Sequence, residues 1–387
     1  MAALIHEFLS RAAYDGNSKF KFLSDNSVLN TQIGDIRLVK VVDKPGIYVI
    51  KTLDLDEQNV YAVTKDLGPH KKTLRGTHAD HIKLLTTSRS DCKEWCEIYG
   101  YPKANIAKVC YIADTIDRDG AKTVLRANEY INEALITSLM KIMPVPHYVV
   151  AHDAWIHRGK GHILMDFAGQ PLMNVMSEFK VSQIQSITLQ VFIALQIGLD
   201  VAHLKHHDVH LENVFVSHVQ DQEHKTGDRV VALKSSTHWK YTLDGVSYYV
   251  PHCNLLAKLG DFGLASASAA NMRFERVDYP HLNSGQLEWG AWNGKVSEQK
   301  SYDIVTYLTK FFLAEERSRV PDECVAWISK VWAALQELET AAGRVCMASI
   351  IGRPLADLEG NTSPKELLAH SLFDSFRVPV EGALELY

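Results

Sequence analysis

The chain has 387 residues, 46% of them hydrophobic, and 41 basic against 46 acidic side chains give a net charge of −5. This is enough apolar material for a two-lobed enzyme or two small domains. The charge balance argues against nucleic acid or an anionic membrane surface as a partner. Six scattered cysteines point to free thiols in a reducing compartment. The opening MAALIHEFLS has neither the basic region nor the apolar run of a leader, and no transmembrane helix is expected.

Up to about residue 167 the recognisable segments read as strands: IRLVKVV (36–42), IYVIKTL (47–53), YVVAHDAWI (148–156) and GHILMDF (161–167). Turn signals separate them, Asp43-Lys44-Pro45-Gly46 and Arg158-Gly159-Lys160-Gly161. One helix, EYINEALITSLMKIM (129–143), interrupts the strands and stops before Pro144. Beyond 167 helices are expected to dominate. Residues 181–206 are apolar on most faces, as in a helix buried at the centre of a lobe, and 301–314 read the same way.

The segment 205–216, KHHDVHLENVFV, follows the first of these helices and leads into a β-rich run. With His203 it crowds four histidines, two acids and Asn213 together. A metal site would need partner ligands at zinc spacing, and His206, His207 and His210 have none nearby. A phosphoryl-transfer loop needs an Asp to accept a hydroxyl proton and an Asn, five residues on, to hold a metal. His206, Asp208 and Asn213 satisfy the pattern H-R-D-x-x-x-x-N at those offsets.

Further on stands KLGDFGLAS (258–266), with Asp261-Phe262-Gly263 as a metal-binding tripeptide. Taken in order, these motifs resemble the protein kinase superfamily over nearly the whole chain. The resemblance implies an α+β, bilobal protein kinase-like fold. An antiparallel-sheet N-lobe would span 1–166 and a mostly helical C-lobe 167–387, with insertions at about 54–127 and 217–257. It implies that Lys51, ending IYVIK, grips the α- and β-phosphates of ATP and is held by Glu133 of INEALI. Lys51 stands seventeen residues after Gly34, the last glycine of the nucleotide loop; Lys65 and Glu129 are the alternatives for the two roles. Met165 is the gatekeeper, with Asp166, Phe167 and Ala168 along the adenine edge. Asn213 and Asp261 would hold Mg²⁺, Asp208 would be the catalytic base, and His210 stands near the γ-phosphate. Asp303 of SYDIVTYL would brace the catalytic loop, and SPKELLAHSLF (363–373) resembles the last kinase helix.

The sequence departs from the pattern at several points. VLNTQIGDI (28–36) keeps one glycine, Gly34, where backbone amides should approach phosphate, which leaves open a pseudokinase serving as a binding module. His210 replaces the lysine of Ser/Thr kinases, as in haspin-like kinases and small-molecule phosphotransferases, so a metabolite acceptor also stays open beside a protein hydroxyl. His207 replaces the arginine that reads a phosphorylated activation segment, so no such phosphorylation is expected. Arg273 and Arg276, close to Glu275 and Asp278, could order the segment instead. No Ala-Pro-Glu is present, and Glu288 of LEWG is its nearest counterpart. In the first insertion, His78, His81, Cys92 and Cys96 form an H-x2-H and C-x3-C set chemically suited to zinc; the alternative there is an inserted helical subdomain. In the second, HWKYTLDGVSYYVPH reads as a hairpin about Leu243-Asp244-Gly245. That hairpin resembles kinases of large cytoplasmic DNA viruses, implying host-cell cytoplasm, a protein substrate and virion components as partners.

Overall fold

β-Branched and aromatic residues flank Lys51, with Tyr48, Val49 and Ile50 before it and Thr52 after it, and this stretch forms the strand that holds it. In the computed structural model the described residues are 20–23, 29–31, 34–42, 44, 46–54, 61–67, 70–76, 122–127, 129–157, 160–220, 222–226, 229–269, 272–276, 300–312, 317–341 and 362–387. They divide into two units. The first comprises 1–142, 149–167 and 261–278; the second comprises 143–148, 168–260 and 279–387. The division is therefore not a single cut at 166/167.

In the first unit, β1 (Phe20–Phe22), β2 (Leu29–Thr31), β3 (Gly34–Val41) and β4 (Tyr48–Asp54) lead into a second, mixed sheet. That sheet contains β5 (Tyr61–Leu67), β6 (His70–Gly76) and β7 (Lys122–Ala127). Helix α1 (Glu129–Leu139) follows and ends in a 3-10 turn, Met140–Ile142. β8 (Ala151–His157) and β9 (Lys160–Asp166) complete the first sheet, in which β4 lies between β3 and β9. Both β1 and β2 pair with β3, Phe22 opposite Val39 and Leu29 opposite Ile36. The strands Ala267–Ala269 and Met272–Arg276 join the second sheet through β7, which is why 261–278 belong to this unit. The described parts of the 54–127 insertion are thus strands, while the stretch for which a helical subdomain is the alternative, 77–121, lies outside the described residues. Period-two pairing fits VYAVTKDL better than a helical period does. The strand expected at 148–156 begins at Ala151; Tyr148 makes one isolated bridge, to Leu259 in the second unit.

The second unit is built on α2 (Val181–Ala202), which buries Ile184, Ile187, Phe192, Ile193 and Ile197. This helix is long and apolar enough to cross a membrane by length and composition, yet most of it is buried inside the protein. Its buried polar side chains find partners there: Gln190 bonds the Leu255 carbonyl and the Ala257 amide, and Thr188 bonds the Tyr307 hydroxyl. It stops at Ala202, four residues short of the expected end, because His203 turns into the left-handed region at φ 45°. The segment that follows is strand-rich, as its β-rich run and hairpin signal predict. After β10 (Gln170–Pro171), which precedes α2, the unit holds β11 (Val214–His218), β12 (Glu223–Thr226), β13 (Arg229–Ala232), β14 (His238–Leu243), β15 (Val246–Pro251) and β16 (Leu255–Leu259). β14 and β15 form the hairpin about Asp244-Gly245, both at positive φ, as a two-residue turn requires. Its inner face carries the fully buried Trp239, Tyr241 and Tyr248. The chain returns through Leu384–Glu385, parallel to β14. Later helices among the described residues are α3 (Tyr302–Lys310), α4 (Asp322–Ala341) and α5 (Pro364–Leu368). α5 opens on a Ser363/Glu366 capping box with Pro364 in its first turn.

Candidate active site

Lys51 shares a face of β4 with Leu53, which is 3% exposed, and lies opposite Ile36 on β3 and Ile163 on β9. Its own side chain is 6% exposed. An ammonium there must be paired, since burying an isolated charge costs several kcal/mol. Its Nζ lies 2.9 Å from both carboxylate oxygens of Glu133 and 3.0 Å from Oδ1 of Asp261. Burial opposes the charge on Lys51, but Asp261 and Glu133 outweigh it and push the lysine well above its ordinary range. Glu133 is fully buried, whereas the Asp261 side chain is 39% exposed. One cation faces two carboxylates, and the outer carboxylate faces solvent. That excess of hard, negative oxygen suits Mg²⁺.

Asp261 has φ 59°, which an L-residue with a Cβ seldom adopts. The turn after it, Phe262–Leu264, is a 3-10 helix with Phe262 fully buried. Asn132, the neighbour of Glu133 on α1, faces this turn. Its Nδ2 donates to the carbonyls of Ala265 at 2.7 Å, Gly263 at 3.1 Å and Phe262 at 3.5 Å.

In the second unit the loop after α2 is fixed at its backbone. The His206 and His207 amides donate to the Asp303 carboxylate at 2.8 and 2.7 Å. Asp303 lies in the first turn of α3, where a carboxylate also meets the positive end of the helix dipole. His207 has φ 63°. The fully buried His206 ring bonds the Gly260 carbonyl through Nε2 at 2.8 Å. Asn213 donates Nδ2 to the Asp208 carbonyl at 2.9 Å and to Asp208 Oδ2 at 3.1 Å. With its amide nitrogen committed there, Asn213 presents Oδ1 as a hard oxygen donor, the type Mg²⁺ takes. The Glu212 amide donates to His210 Nδ1 at 3.3 Å, so Nε2 carries the proton of the neutral ring and lies 3.5 Å from Asp208 Oδ2. Asp208, Asn213 and His210 therefore form one cluster.

Met165 is 8% exposed on β9, between Val49 and Ala151. Asp166 directs its carboxylate to His152 Nε2 at 2.5 Å, and its amide donates to the Val150 carbonyl. Its side chain is engaged there. Phe167 is 36% exposed and Ala168 is buried. Gly34 sits within the ladder, opposite Thr31 on β2 and Leu53 on β4.

Lys65 lies on β5 opposite Lys72 and Thr123, and Glu129 opens α1; the side chains of both fall outside the described residues. So do His78, His81, Cys92, Cys96 and Glu288, as well as the side chains of Arg273, Arg276, Glu275 and Asp278. Among the described residues no cluster of three or more His, Cys, Asp or Glu could hold a metal ion. The sequence reading missed Asn132 and His152. The signal for the first was an amide next to an acid within an otherwise apolar helical run, which a buried partner must explain.

No protein-family model matches the chain. No curated protein matches it either. Among solved structures it is similar to the crystal structure of Rad53 1-466 in complex with AMP-PNP, at 10% identity and a TM-score of 0.31. That match covers 63% of this chain and 39% of the other, so this chain corresponds to about two fifths of that protein's length.

Proposed function

We propose that this chain is a protein kinase-like phosphotransferase that moves the γ-phosphoryl group of ATP to a protein Ser or Thr hydroxyl. The observation that carries the reading is the buried Lys51, held by Glu133 and Asp261 from 82 and 210 residues away. A lysine serving stability alone would gain little there. A buried ion pair is often no better for stability than a well-packed apolar pair. A fixed ammonium positioned to meet phosphate oxygens is what phosphoryl transfer needs.

In this reading Lys51 binds the α- and β-phosphates, and Glu133 keeps it from swinging away. Asp208 orients the acceptor hydroxyl and takes its proton at the carboxylate. Asn213 and His210 hold the Oδ2 side of that group, and Asp303 holds the loop backbone. Mg²⁺, for which Asp261 and Asn213 offer oxygen donors, supplies charge neutralisation on the phosphates. The backbone of Asp166, Phe167 and Ala168 meets the adenine edge, with Met165 behind it. The hairpin 238–251 is the ground for assigning the chain to a large cytoplasmic DNA virus, with host-cell cytoplasm and virion as its locations. That assignment rests on sequence resemblance alone.

A second reading is a pseudokinase, favoured by Gly34 being engaged in the sheet on both sides. Purified protein with radiolabelled ATP, Mg²⁺ and a panel of proteins and metabolites separates the readings. Label on protein Ser or Thr supports transfer to protein. Label on a metabolite makes the chain a small-molecule phosphotransferase, and nucleotide binding without any transfer makes it a pseudokinase.

A further inference from the structure

We propose that Asn132 is a positioning residue that ties the backbone turn after Asp261 to the helix carrying Glu133. Lysine-holding and metal-holding carboxylates are thereby set as one piece. The inference rests on the phosphotransferase reading for its consequence, but not for its geometry. Asn132 is 1% exposed, and its amide nitrogen faces three carbonyls of the turn, those of Phe262, Gly263 and Ala265. The opposite amide orientation would point Oδ1 at the same three carbonyl oxygens, so the donor orientation is the one chemistry permits. Among the described residues Oδ1 has no hydrogen-bond partner, although it is buried. An unsatisfied buried acceptor costs stability, so this side chain is not placed for stability alone.

The connections close a ring. Asp261 is held at its side chain by Lys51, Lys51 by Glu133, and Glu133 is covalently next to Asn132. Asn132 in turn holds residues 262–265, immediately after Asp261. Asp261 is thus fixed from both sides, at a backbone angle it would otherwise leave. A displacement of α1 that withdrew Glu133 from Lys51 would also release the turn. Metal binding and lysine placement are coupled through two adjacent side chains of one helix.

The experiment compares wild type with Asn132→Asp, which turns the donor into an acceptor, and Asn132→Leu, which removes both groups at similar volume. Two measurements are made. Hydrogen exchange of peptides covering 260–269, without nucleotide or metal, tests the clamp itself. The Mg²⁺ concentration needed for half-maximal ATP binding tests its consequence. Exchange in 260–269 is expected to quicken by about tenfold or more in both variants. Peptides of α2 serve as the unchanged reference, and if Asn132→Asp does not fold, Asn132→Leu decides. The Mg²⁺ requirement is expected to rise by a similar factor, with metal-free nucleotide affinity nearly constant; a purely structural role would weaken both together. Unchanged exchange at 260–269 in a folded variant overturns the proposal. So does quickened exchange with an unaltered Mg²⁺ requirement. Wild-type protein that binds no Mg²⁺–ATP at all overturns the phosphotransferase reading and, with it, the proposed coupling to metal, while the exchange result still decides whether the clamp exists.

Discussion

The Lys51 ammonium lies 3.0 Å from a carboxylate oxygen of Asp261, a residue 210 positions later in the chain. With Glu133 at 2.9 Å, it is the point where strand β4, helix α1 and the turn after β16 converge on one atom. Removing the cation leaves Glu133 fully buried beside a second acid. Lys51→Met is therefore expected to destabilise the protein by about 3–5 kcal/mol, the usual cost of breaking a buried pair. It is also expected to lower transfer by about a hundredfold or more. Lys65→Met should leave both nearly unchanged. Urea denaturation and matched kinetics of the two variants check this, and the reverse ranking would move the phosphate-gripping role to β5.

Asp208 and Asp303 make a contrasting pair in the second unit. Asp208→Asn keeps the shape and removes the proton acceptor. Transfer is expected to fall by about 10²–10⁴-fold, with folding and ATP affinity close to wild type. Asp303→Ala instead strips the partner from two amides, those of His206 and His207. Each unsatisfied amide costs about 1–3 kcal/mol, so this variant should lose stability as well as rate. Wild-type transfer by purified Asp208→Asn would remove Asp208 from the mechanism.

His147 gives a pH prediction. Its Nδ1–H donates to the Ala257 carbonyl at 2.9 Å and its Nε2 accepts from the Tyr241 hydroxyl at 2.7 Å. Burial lowers its pKa to about 3 against the opposing Ala257 bond, and the nearby His224 and Lys258 charges lower it further. The folded form thus binds this proton less readily than the unfolded chain, whose histidine titrates near about 6.5. Above that pH the group is neutral in both states and contributes no slope. As pH falls from about 6.5 toward 3 only the unfolded state gains the proton, so stability declines, by on the order of 4 kcal/mol over the whole window. His224, also lowered by burial, adds to the same slope. Denaturation at pH 7.5 and pH 4.5 should show the decline, and His147→Gln should flatten it. An equal slope in the variant would assign the acid sensitivity elsewhere.

The readability of the sequence varies with the kind of interaction. Asp208, Asn213 and Asp261 stood out through the short motifs H-x-D-x-x-x-x-N and DFG, and Lys51 and Glu133 only through the ordered resemblance to protein kinases. Strands β3, β4 and β9 were legible as β-branched and apolar runs between turn signals, and the 238–251 hairpin from Asp244-Gly245. Asn132 was not, because its three acceptors are backbone carbonyls, which leave no mark in a sequence. The same holds for residues 143–148. His147 and Tyr148 are held in the second unit by the Ala257 and Ala194 carbonyls, although they directly follow a helix of the first. The strand content of 214–259 was underestimated because buried strands such as LLAKL carry no alternation to distinguish them from helix.

The last prediction concerns regulation. In kinases switched by phosphorylation, a phosphate added after the DFG tripeptide pairs with an arginine just before the catalytic Asp. That position is His207 here, and its amide is committed to Asp303 while its ring lies 6.0 Å from the Tyr302 ring. An imidazole cannot reproduce the bidentate fork of a guanidinium. Meanwhile the start of the segment is already held without phosphate. Asn132 bonds Phe262, Gly263 and Ala265, and Ala267–Ala269 pair with Met272–Arg276 in the sheet of β7. Phosphatase-treated protein is therefore expected to keep most of its activity. So is a variant with Ser266, Ser268 and Ser284 changed to Ala and Tyr279 to Phe. A fall of about a hundredfold, roughly 2.7 kcal/mol in barrier, that rephosphorylation restores would show that a phosphate orders this segment after all, and that His207 in place of an arginine does not free the chain from it.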